Sequence, residues 1–297
     1  MDKILTIGIP KGSLQESTLA LFYKAGFSFQ GSERSLWLSS NVPDIKPVLL
    51  RPQEIPRYVS QGELDCGLSG FDWIVETKSE ANIHILADLC YSKRSFRPVR
   101  WVLAVAKDSG YDTIDDLKET ETRIRISTEL EKITRDWFSN RGFTNHSVDF
   151  SWGATEAKVP VFADAIVECT ETGTSLIENG LKILETVFES TTRFFANKDI
   201  YRNDEWKQNK LDGIALLLKS CLAAETKVCI HVQTSNTDSK ILEALIPSNA
   251  SFVVLDNSSD KLIEIITEKD TSRDLLPILV RNSAKRISVL TLGMLYE

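Results

Sequence analysis

The sequence predicts an α/β protein with parallel sheets covered by helices, followed by a smaller ferredoxin-like unit. Up to about residue 222, short apolar runs alternate with stretches of helical spacing, a pattern typical of βα units. The order then becomes strand, helix, strand, strand, helix, strand, which is that of a ferredoxin-like sandwich. The length of 297 residues agrees with this division, because it exceeds one ordinary core and fits two or three domains.

The first part of the chain contains two successive βα patterns. Before residue 90, apolar runs predict strands at 3–9, 48–50, 64–68 and 83–89, with helical segments at 13–25, 52–60 and from 74. The pattern restarts at Arg100, with strands at 101–106, 123–126 and 165–167, and helices at 113–118, 129–140 and from 176. Residues 181–195 are β-rich, and 205–222 form a long helix.

The last part of the chain is predicted to be a separate unit after a linker at 223–226. Strands are predicted at 227–233, 251–255, 262–267 and 286–292, and helices at 239–245 and 271–280. This gives the βαββαβ order of the ferredoxin-like fold.

Composition and charge exclude several classes of protein. With 42% apolar and 26% charged residues, the composition is that of a globular protein. The net charge of −7 argues against general nucleic-acid binding, which needs a basic face. The first residues do not read as a signal peptide, and no apolar run approaches the ~20 residues of a membrane span. We therefore expect a cytoplasmic location.

The cysteines and histidines show no metal-ligand spacing. The five cysteines stand singly in apolar contexts and form no C-x-x-C pair, so neither a zinc site nor a disulfide framework is expected. A reducing compartment agrees with this. The three histidines are scattered and are predicted to be structural: His84, His146 and His231.

The stretch from Ala165 to Leu176 has the pattern of an anion-binding loop. A buried strand at 165–167 is followed by two carboxylates, then by hydroxyl side chains and a glycine, and then by a helix: Glu168, Glu171, Thr172, Gly173, Thr174 and Ser175. Backbone N–H groups at such a turn favour negative charge, and glycine lets the backbone approach a ligand. The carboxylates suit a ribose diol or Mg²⁺. The loop therefore predicts a sugar phosphate ligand; the alternative is an ordinary strand-to-helix turn with a capped helix.

Other polar residues fall at the ends of predicted strands. Lys11, Arg51 and Asp72 follow three different strands, as Thr172–Ser175 do. Ligands of parallel sheets lie beyond the carboxyl ends of the strands, so these residues are expected to line one site.

Six segments, in this order and spacing, resemble ATP phosphoribosyltransferase, the first enzyme of histidine biosynthesis. They are Ile9–Leu14 (IPKGSL), Arg51–Pro56 (RPQEIP), Gly62–Asp72 (GELDCGLSGFD), Ala163–Glu168 (ADAIVE), Glu171–Leu176 (ETGTSL) and Glu178–Leu181 (ENGL). The resemblance covers about residues 1–222, and the tail more loosely. It implies transfer of a phosphoribosyl group from phosphoribosyl pyrophosphate to ATP, with Mg²⁺ and release of pyrophosphate.

The resemblance also implies an architecture. Two lobes similar to those of type II periplasmic binding proteins are expected, with residues 1–99 and 180–222 in the first and 100–179 in the second. Residues 225–297 would form an ACT-like regulatory domain, as in the long form, which binds histidine as an inhibitor and assembles from dimers into hexamers.

The resemblance assigns roles residue by residue. Phosphoribosyl pyrophosphate is expected on Glu171, Thr172, Gly173, Thr174, Ser175 and Leu176. ATP is expected on Gly12, Ser13, Gly70, Asp72 and Arg100. Catalytic roles fall to Glu168, Lys11 and Arg51, and Mg²⁺ is expected on the substrate phosphates, with Glu168 and Glu171 as candidate ligands. A carboxylate beside the ribose would stabilise the oxocarbenium-like state at C1.

Alternatives remain open for several of these residues. Lys11 is also explained as an exposed turn lysine, Arg51 as half of a structural ion pair, and Asp72 as the cap of the helix at Ile74. The basic run Lys93, Arg94, Arg97 and Arg100 would steer polyanionic substrates or form a solvated face.

The tail departs from the family, because Pro247–Phe252 (PSNASF) replaces a Ser-Pro-Thr-Val-Ser-Pro-like stretch near the histidine site. Inhibition by histidine therefore does not follow from the resemblance alone and needs its own test. The competing hypothesis for the whole chain is a non-catalytic two-lobe ligand-binding or regulatory protein.

Overall fold

A computed structural model describes residues 3–32, 34–91, 98–234, 251–257, 260–282 and 284–296. The chain divides into two compact units. The first consists of residues 1–23 and 27–215, and the second of residues 24–26 and 216–297. The second unit thus begins inside a long helix rather than at the predicted linker.

The first unit contains two five-stranded sheets, each forming a lobe. The first sheet has the order β4-β1-β5-β12-β6. Its strands are β1 (Leu5–Pro10), β4 (Ile45–Leu50), β5 (Cys66–Gly70), β6 (Ile83–Leu89) and β12 (Thr192–Asn197). A small hairpin of β2 (Phe29–Gln30) and β3 (Ser39–Ser40) lies outside it. Helices α1 (Gln15–Lys24), α2 (Ile55–Ser60) and α3 (Phe71–Glu76) follow β1, β4 and β5.

The second sheet has the order β11-β7-β10-β8-β9. Its strands are β7 (Val99–Ala106), β8 (Ile124–Thr128), β9 (His146–Phe150), β10 (Ala165–Thr170) and β11 (Leu181–Ser190). Helices α4 (Ile114–Glu119), α5 (Glu131–Asn140) and α6 (Thr174–Glu178) belong to this lobe. Helix α4 has the predicted N-cap residue, Thr113, whose side chain forms a capping box with Asp116.

Both sheets are mixed, although the alternation of strands and helices predicted parallel sheets. β1 is parallel to β4 and β5, and β8 is parallel to β9 and β10. In contrast, β12 is antiparallel to both of its neighbours, and so is β7. Each of these two strands is the first strand after the chain has passed from one sheet to the other, so the alternation of strands and helices within a lobe does not set its direction.

The boundary between the lobes also differs from the prediction. β11 was expected in the first lobe, but it pairs with β7 in the second sheet. Only Thr191 separates β11 from β12, so the chain passes directly from the second sheet into the first at this point. A long strand followed by a one-residue crossing has the same apolar pattern as two strands of one sheet, so the pattern could not reveal the change.

Helix α3 follows a strand of the first lobe but contributes to the core of the second. Trp73 and Val75 pack against the buried cluster that contains Leu103, Phe138 and Val167. Helix α3 begins at Phe71, earlier than predicted, with Gly70 as its N-cap residue. Asp72 therefore lies inside the first turn and is not the cap.

After β12, α7 (Lys198–Asn203) is capped by Asn197, whose side chain accepts hydrogen bonds from the N–H groups of Asp199 and Ile200. The long helix α8 (Glu205–Glu225) then crosses the boundary between the units. Within the first unit, Lys207 on this helix forms an ion pair of 2.6 Å with buried Asp65, which also accepts two hydrogen bonds from Thr6.

The second unit contains a four-stranded antiparallel sheet of order β14-β15-β13-β16. Its strands are β13 (Lys227–Thr234), β14 (Ser251–Asn257), β15 (Asp260–Glu268) and β16 (Arg286–Thr291). Helix α9 (Lys269–Arg281) packs Leu275 and Leu279 against Ile230 and Ile263. Strand order and the position of α9 are those of the ferredoxin-like fold; the predicted helix at 239–245 lies outside the described residues. The predicted fold class, two α/β lobes followed by this domain, is confirmed.

Candidate active site

The loop between β10 and α6 has the geometry that its sequence predicted. Gly173 adopts φ +82° and is the N-cap residue of α6, a conformation that favours glycine. Its N–H donates to the hydroxyl of Thr170 at 2.8 Å, and the hydroxyls of Thr172 and Thr174 lie 2.9 Å apart. The side chains of Thr172, Thr174 and Ser175 point toward solvent, whereas Leu176 is buried beneath the loop. The loop thus presents hydroxyl donors on a fixed backbone.

Helix α6 is only five residues long. The dipole of so short a helix contributes little, so an anion here would rely on the N–H groups of the first turn and on the hydroxyls. The sequence prediction gave the helix dipole more weight than the structure supports.

Glu168 lies near the end of β10, in front of this loop. Its carboxylate is half-buried and accepts a hydrogen bond of 3.0 Å from the N–H of Cys169. Burial raises the pKa of Glu168 to about 7, and the negative charges of Glu156 and Glu129 raise it as well. A hydrogen bond from Thr155 acts in the opposite direction and lowers the pKa. The site therefore holds a carboxylate whose charge changes near neutral pH, unless a cation or a positively charged reaction centre is present.

Three further carboxylates lie around Glu168. Glu156 accepts a hydrogen bond of 3.2 Å from the hydroxyl of Ser175, and Glu129 follows the end of β8. Glu171 is half-buried within the loop itself. Oxygen ligands of this kind fit a hard cation such as Mg²⁺, which would offset the mutual repulsion of the carboxylates. Neither Glu156 nor Glu129 was predicted, because each lies far from the loop in sequence and carries no motif.

The carboxyl end of the first sheet brings Lys11 and Arg51 together. β1 and β4 are adjacent parallel strands, and the N–H of Lys11 donates to the carbonyl of Leu50 at 2.7 Å. Both side chains are exposed. Next to them, Gly12 has φ +105° with open space where a side chain would lie, and Ser13 is exposed. This arrangement presents two cations and an open backbone turn.

The ends of the two sheets face each other within the first unit. Gln53, in the turn after Arg51, lies 3.5 Å from the carboxylate of Glu129 in the other lobe. The segment after β4 of the first sheet and the segment after β8 of the second thus approach each other at this point.

Arg100 stands at the base of the loop. It is directly opposite Thr170 in the pairing of β7 with β10, and opposite Glu189 in the pairing of β7 with β11. Its neighbours in the predicted basic run, Lys93, Arg94 and Arg97, lie outside the described residues.

Asp72 and Gly70 are less exposed than Lys11 and Arg51. Asp72 is 4% exposed, and its carboxylate accepts hydrogen bonds from Trp101 Nε1 at 2.7 Å and from the hydroxyl of Ser190 at 2.8 Å. A side chain at Gly70 would begin 2.0 Å from this carboxylate, so the glycine makes room for it. Burial raises the pKa of Asp72, and the hydrogen bonds from Ser190 and Trp101 lower it only in part.

Comparisons with known proteins show which family this chain belongs to. The family model for ATP phosphoribosyltransferase matches residues 51–220. The ATP phosphoribosyltransferase of Thermodesulfovibrio yellowstonii is 44% identical over 94% of this chain and 93% of its own length. That of Chlorobaculum parvum is 43% identical over 96% of this chain and 95% of its own.

This chain belongs to the ATP phosphoribosyltransferase family. The sequence prediction is thereby confirmed: the protein is a transferase that acts in the first step of histidine biosynthesis.

A solved structure with the same fold supports the assignment. The ATP phosphoribosyl transferase (HisG:HisZ) complex from Thermotoga maritima is 27% identical, with a TM-score of 0.60, and covers 72% of this chain and 98% of its own. The curated relatives, in contrast, match nearly the whole chain, including the C-terminal unit.

Proposed function

We propose that the loop from Glu168 to Leu176 holds phosphoribosyl pyrophosphate, and that the facing edge of the first sheet holds ATP. The observation that carries this is the loop itself, with left-handed Gly173, exposed hydroxyls and a half-buried carboxylate in front of it. Glu171, Thr172, Thr174 and Ser175 surround the 5-phosphate and its counterion, and Leu176 anchors the loop.

Glu168 is the residue proposed to act on the ribose. As N1 of adenine displaces pyrophosphate from C1, positive charge develops on the sugar ring. A carboxylate at this position stabilises that charge electrostatically. Because burial makes the ionised form of Glu168 costly by itself, its charge is favoured most when the ring becomes positive.

The phosphates of ATP and of the leaving pyrophosphate are proposed to be positioned by five residues: Lys11, Gly12, Ser13, Arg51 and Arg100. Lys11 supplies a point charge, and Arg51 supplies a planar fork for two phosphate oxygens. Asp72 and Gly70 are proposed to position the lobes and not to contact ATP, since the carboxylate of Asp72 is committed to Trp101 and Ser190.

Mg²⁺ is proposed as the metal, held by the substrate phosphates together with Glu168 and Glu171. When bound, it neutralises phosphate charge and favours the departure of pyrophosphate. The acidic surroundings of the loop agree with this, because a polyanion alone would be repelled by Glu168, Glu156 and Glu129.

Three further properties of the family are proposed for this chain: a cytoplasmic location, assembly of identical subunits from dimers to hexamers, and inhibition by L-histidine through the C-terminal unit. The ferredoxin-like sheet supports the last of these. Among the residues that the structure describes, no helix has both the length and the apolar character needed to cross a membrane.

The test is formation of phosphoribosyl-ATP from ATP, phosphoribosyl pyrophosphate and Mg²⁺, with pyrophosphatase to draw the reaction forward. Lys11→Ala and Arg51→Ala should each raise KM for ATP about 10–100-fold, the value of a charge-assisted hydrogen bond. Lys46→Ala is the matched control, since Lys46 is an exposed lysine near the beginning of β4, away from the carboxyl end of the strand.

Absence of product under all conditions would favour the non-catalytic two-lobe protein instead. If KM for ATP in Lys11→Ala and Arg51→Ala were as low as in Lys46→Ala and the wild type, the assignment of these residues to ATP would be wrong, although the enzyme would still be active. Repeating the assay with L-histidine tests the proposed inhibition separately.

A further inference from the structure

The C-terminal sheet carries a group of three side chains with different metal-binding atoms. Cys229 and His231 lie two residues apart on β13, so both point to the same face of the sheet. Glu264 stands directly opposite His231 on β15. The alternate residues of these strands, Ile230 and Ile265, belong to the core under α9, so the three polar side chains occupy the other face.

The distances between these side chains are already close to those of a coordination sphere. His231 Nε2 lies 3.1 Å from Glu264 Oε2, and one ligand atom from each of the three residues lies within 4.8 Å of the others. In a tetrahedral zinc site with bonds of about 2.0–2.3 Å, neighbouring ligand atoms are about 3.3–3.6 Å apart. Rotamer adjustments of about 1 Å would therefore complete the geometry.

Burial and charge suit a divalent ion at this position. Cys229 is 5% exposed, whereas His231 and Glu264 are half-buried, so the group is closed by the sheet on one side and reachable from the other. A thiolate, a carboxylate and a neutral imidazole together neutralise a divalent cation. Three protein ligands would leave the fourth position of a tetrahedral zinc ion to water, as in other three-ligand zinc sites.

The donor set also selects the class of metal. Sulfur and imidazole ligands favour Zn²⁺ and similar borderline ions, whereas Mg²⁺ and Ca²⁺ prefer oxygen ligands. We propose that Cys229, His231 and Glu264 form a binding site for a Zn²⁺-class ion in the C-terminal unit, separate from the Mg²⁺ chemistry of the catalytic unit. The proposal does not depend on the activity.

This site differs from what the sequence predicted, since isolated cysteines and scattered histidines suggested neither zinc nor ligand roles. Cys229 and His231 are two residues apart in the sequence, but Glu264 is 33 residues from His231 and only the strand register brings it into place.

Cobalt provides the most direct test, because thiolate ligation to Co²⁺ gives a charge-transfer band in the near ultraviolet and four-coordination gives strong visible bands. Full-length protein, reduced and stripped with chelator, should bind one Co²⁺ with both signatures, and Zn²⁺ should displace it. Cys229→Ala should abolish the charge-transfer band. Glu264→Gln should keep the band while weakening Co²⁺ binding by at least about 10–100-fold, because this loss already follows from changing a residue that only hydrogen-bonds to a metal ligand.

Cys221→Ala is the matched control, since Cys221 is a buried thiol of the same unit on α8. It should leave the spectrum and the affinity unchanged. Circular dichroism checks the fold of Cys229→Ala, and Glu264→Gln keeps the test valid if that variant does not fold, because Glu264 is half-buried and the change is nearly isosteric. Binding without a thiolate band, binding of equal strength in all variants, or no stoichiometric binding would each overturn the proposal.

Discussion

The buried carboxylate of Asp72 accepts a hydrogen bond of 2.7 Å from Trp101 Nε1, and this contact joins the two lobes of the first unit. Asp72 follows β5 of the first sheet, whereas Trp101 lies on β7 of the second. One turn further along α3, Glu76 accepts hydrogen bonds of 2.8 and 3.0 Å from the N–H groups of Lys132 and Ile133. Helix α3 therefore fixes both lobes through carboxylates on one of its faces.

Asp72→Ala should lower the free energy of unfolding by about 2–4 kcal/mol, because it leaves the buried indole N–H without an acceptor and creates a cavity. Asp72→Asn should recover part of this loss, since the amide oxygen can still accept from Trp101. Urea unfolding gives the energies. If Asp72→Asn instead raised KM for ATP at unchanged stability, Asp72 would be a ligand of ATP and the structural role would be wrong.

Glu76→Ala should destabilise the protein by about 1 kcal/mol. Leu130, the N-cap residue of α5, makes no side-chain capping bond, so Glu76 supplies the cap from the other lobe. Glu63→Ala is a suitable comparison, because Glu63 is exposed and lies in the turn before β5. A thermal melt in which the two variants lose equal stability would argue against the capping role.

Much of the first unit could be predicted, because apolar alternation and turn residues mark strands and loops locally. The Thr-Gly-Thr-Ser loop and the proximity of Lys11 to Arg51 followed from that reasoning. Strand direction leaves no such mark, so antiparallel β7 and β12 were missed. Partners distant in sequence, such as Trp101 for Asp72 and Glu264 for His231, depend on the tertiary fold.

Glu168→Gln should change the pH dependence of both activity and stability. For activity, the wild type should lose kcat/KM as pH falls through about 7, because the carboxylate becomes protonated. The variant should have low kcat at every pH and should lack this titration. A pH profile of kcat/KM with the same acidic limb in both proteins would rule out Glu168 as its source.

For stability, the pKa of Glu168 is raised from 4.5 in the unfolded chain to about 7 in the native protein. Between pH 4.5 and 7 the native state therefore binds more protons at Glu168 than the unfolded chain does. Protonated Glu168 thus contributes stability that is fully present below pH 4.5 and is lost as pH rises toward 7. Replacing Glu168 with glutamine should remove up to about 3 kcal/mol of this pH dependence. Urea unfolding at several pH values measures it.

Gly173 and Gly180 provide a matched pair for the central claim. Both have positive φ, +82° and +74°, and they lie at opposite ends of α6. Replacing either glycine with alanine should lower the free energy of unfolding by about 1 kcal/mol, because of backbone strain at positive φ. Only at Gly173 does the new Cβ fall within the proposed phosphate loop, where it would also lie 3.1 Å from Ile183.

Calorimetric titration of phosphoribosyl pyrophosphate with Mg²⁺ into wild type, Gly173→Ala and Gly180→Ala tests the loop most directly. We expect Gly173→Ala to weaken binding at least about 10-fold, the loss of one charge-assisted hydrogen bond to phosphate. Gly180→Ala should bind as the wild type does. Equal affinity in all three proteins, each folded by circular dichroism, would contradict the assignment of this loop to the phosphoribosyl group.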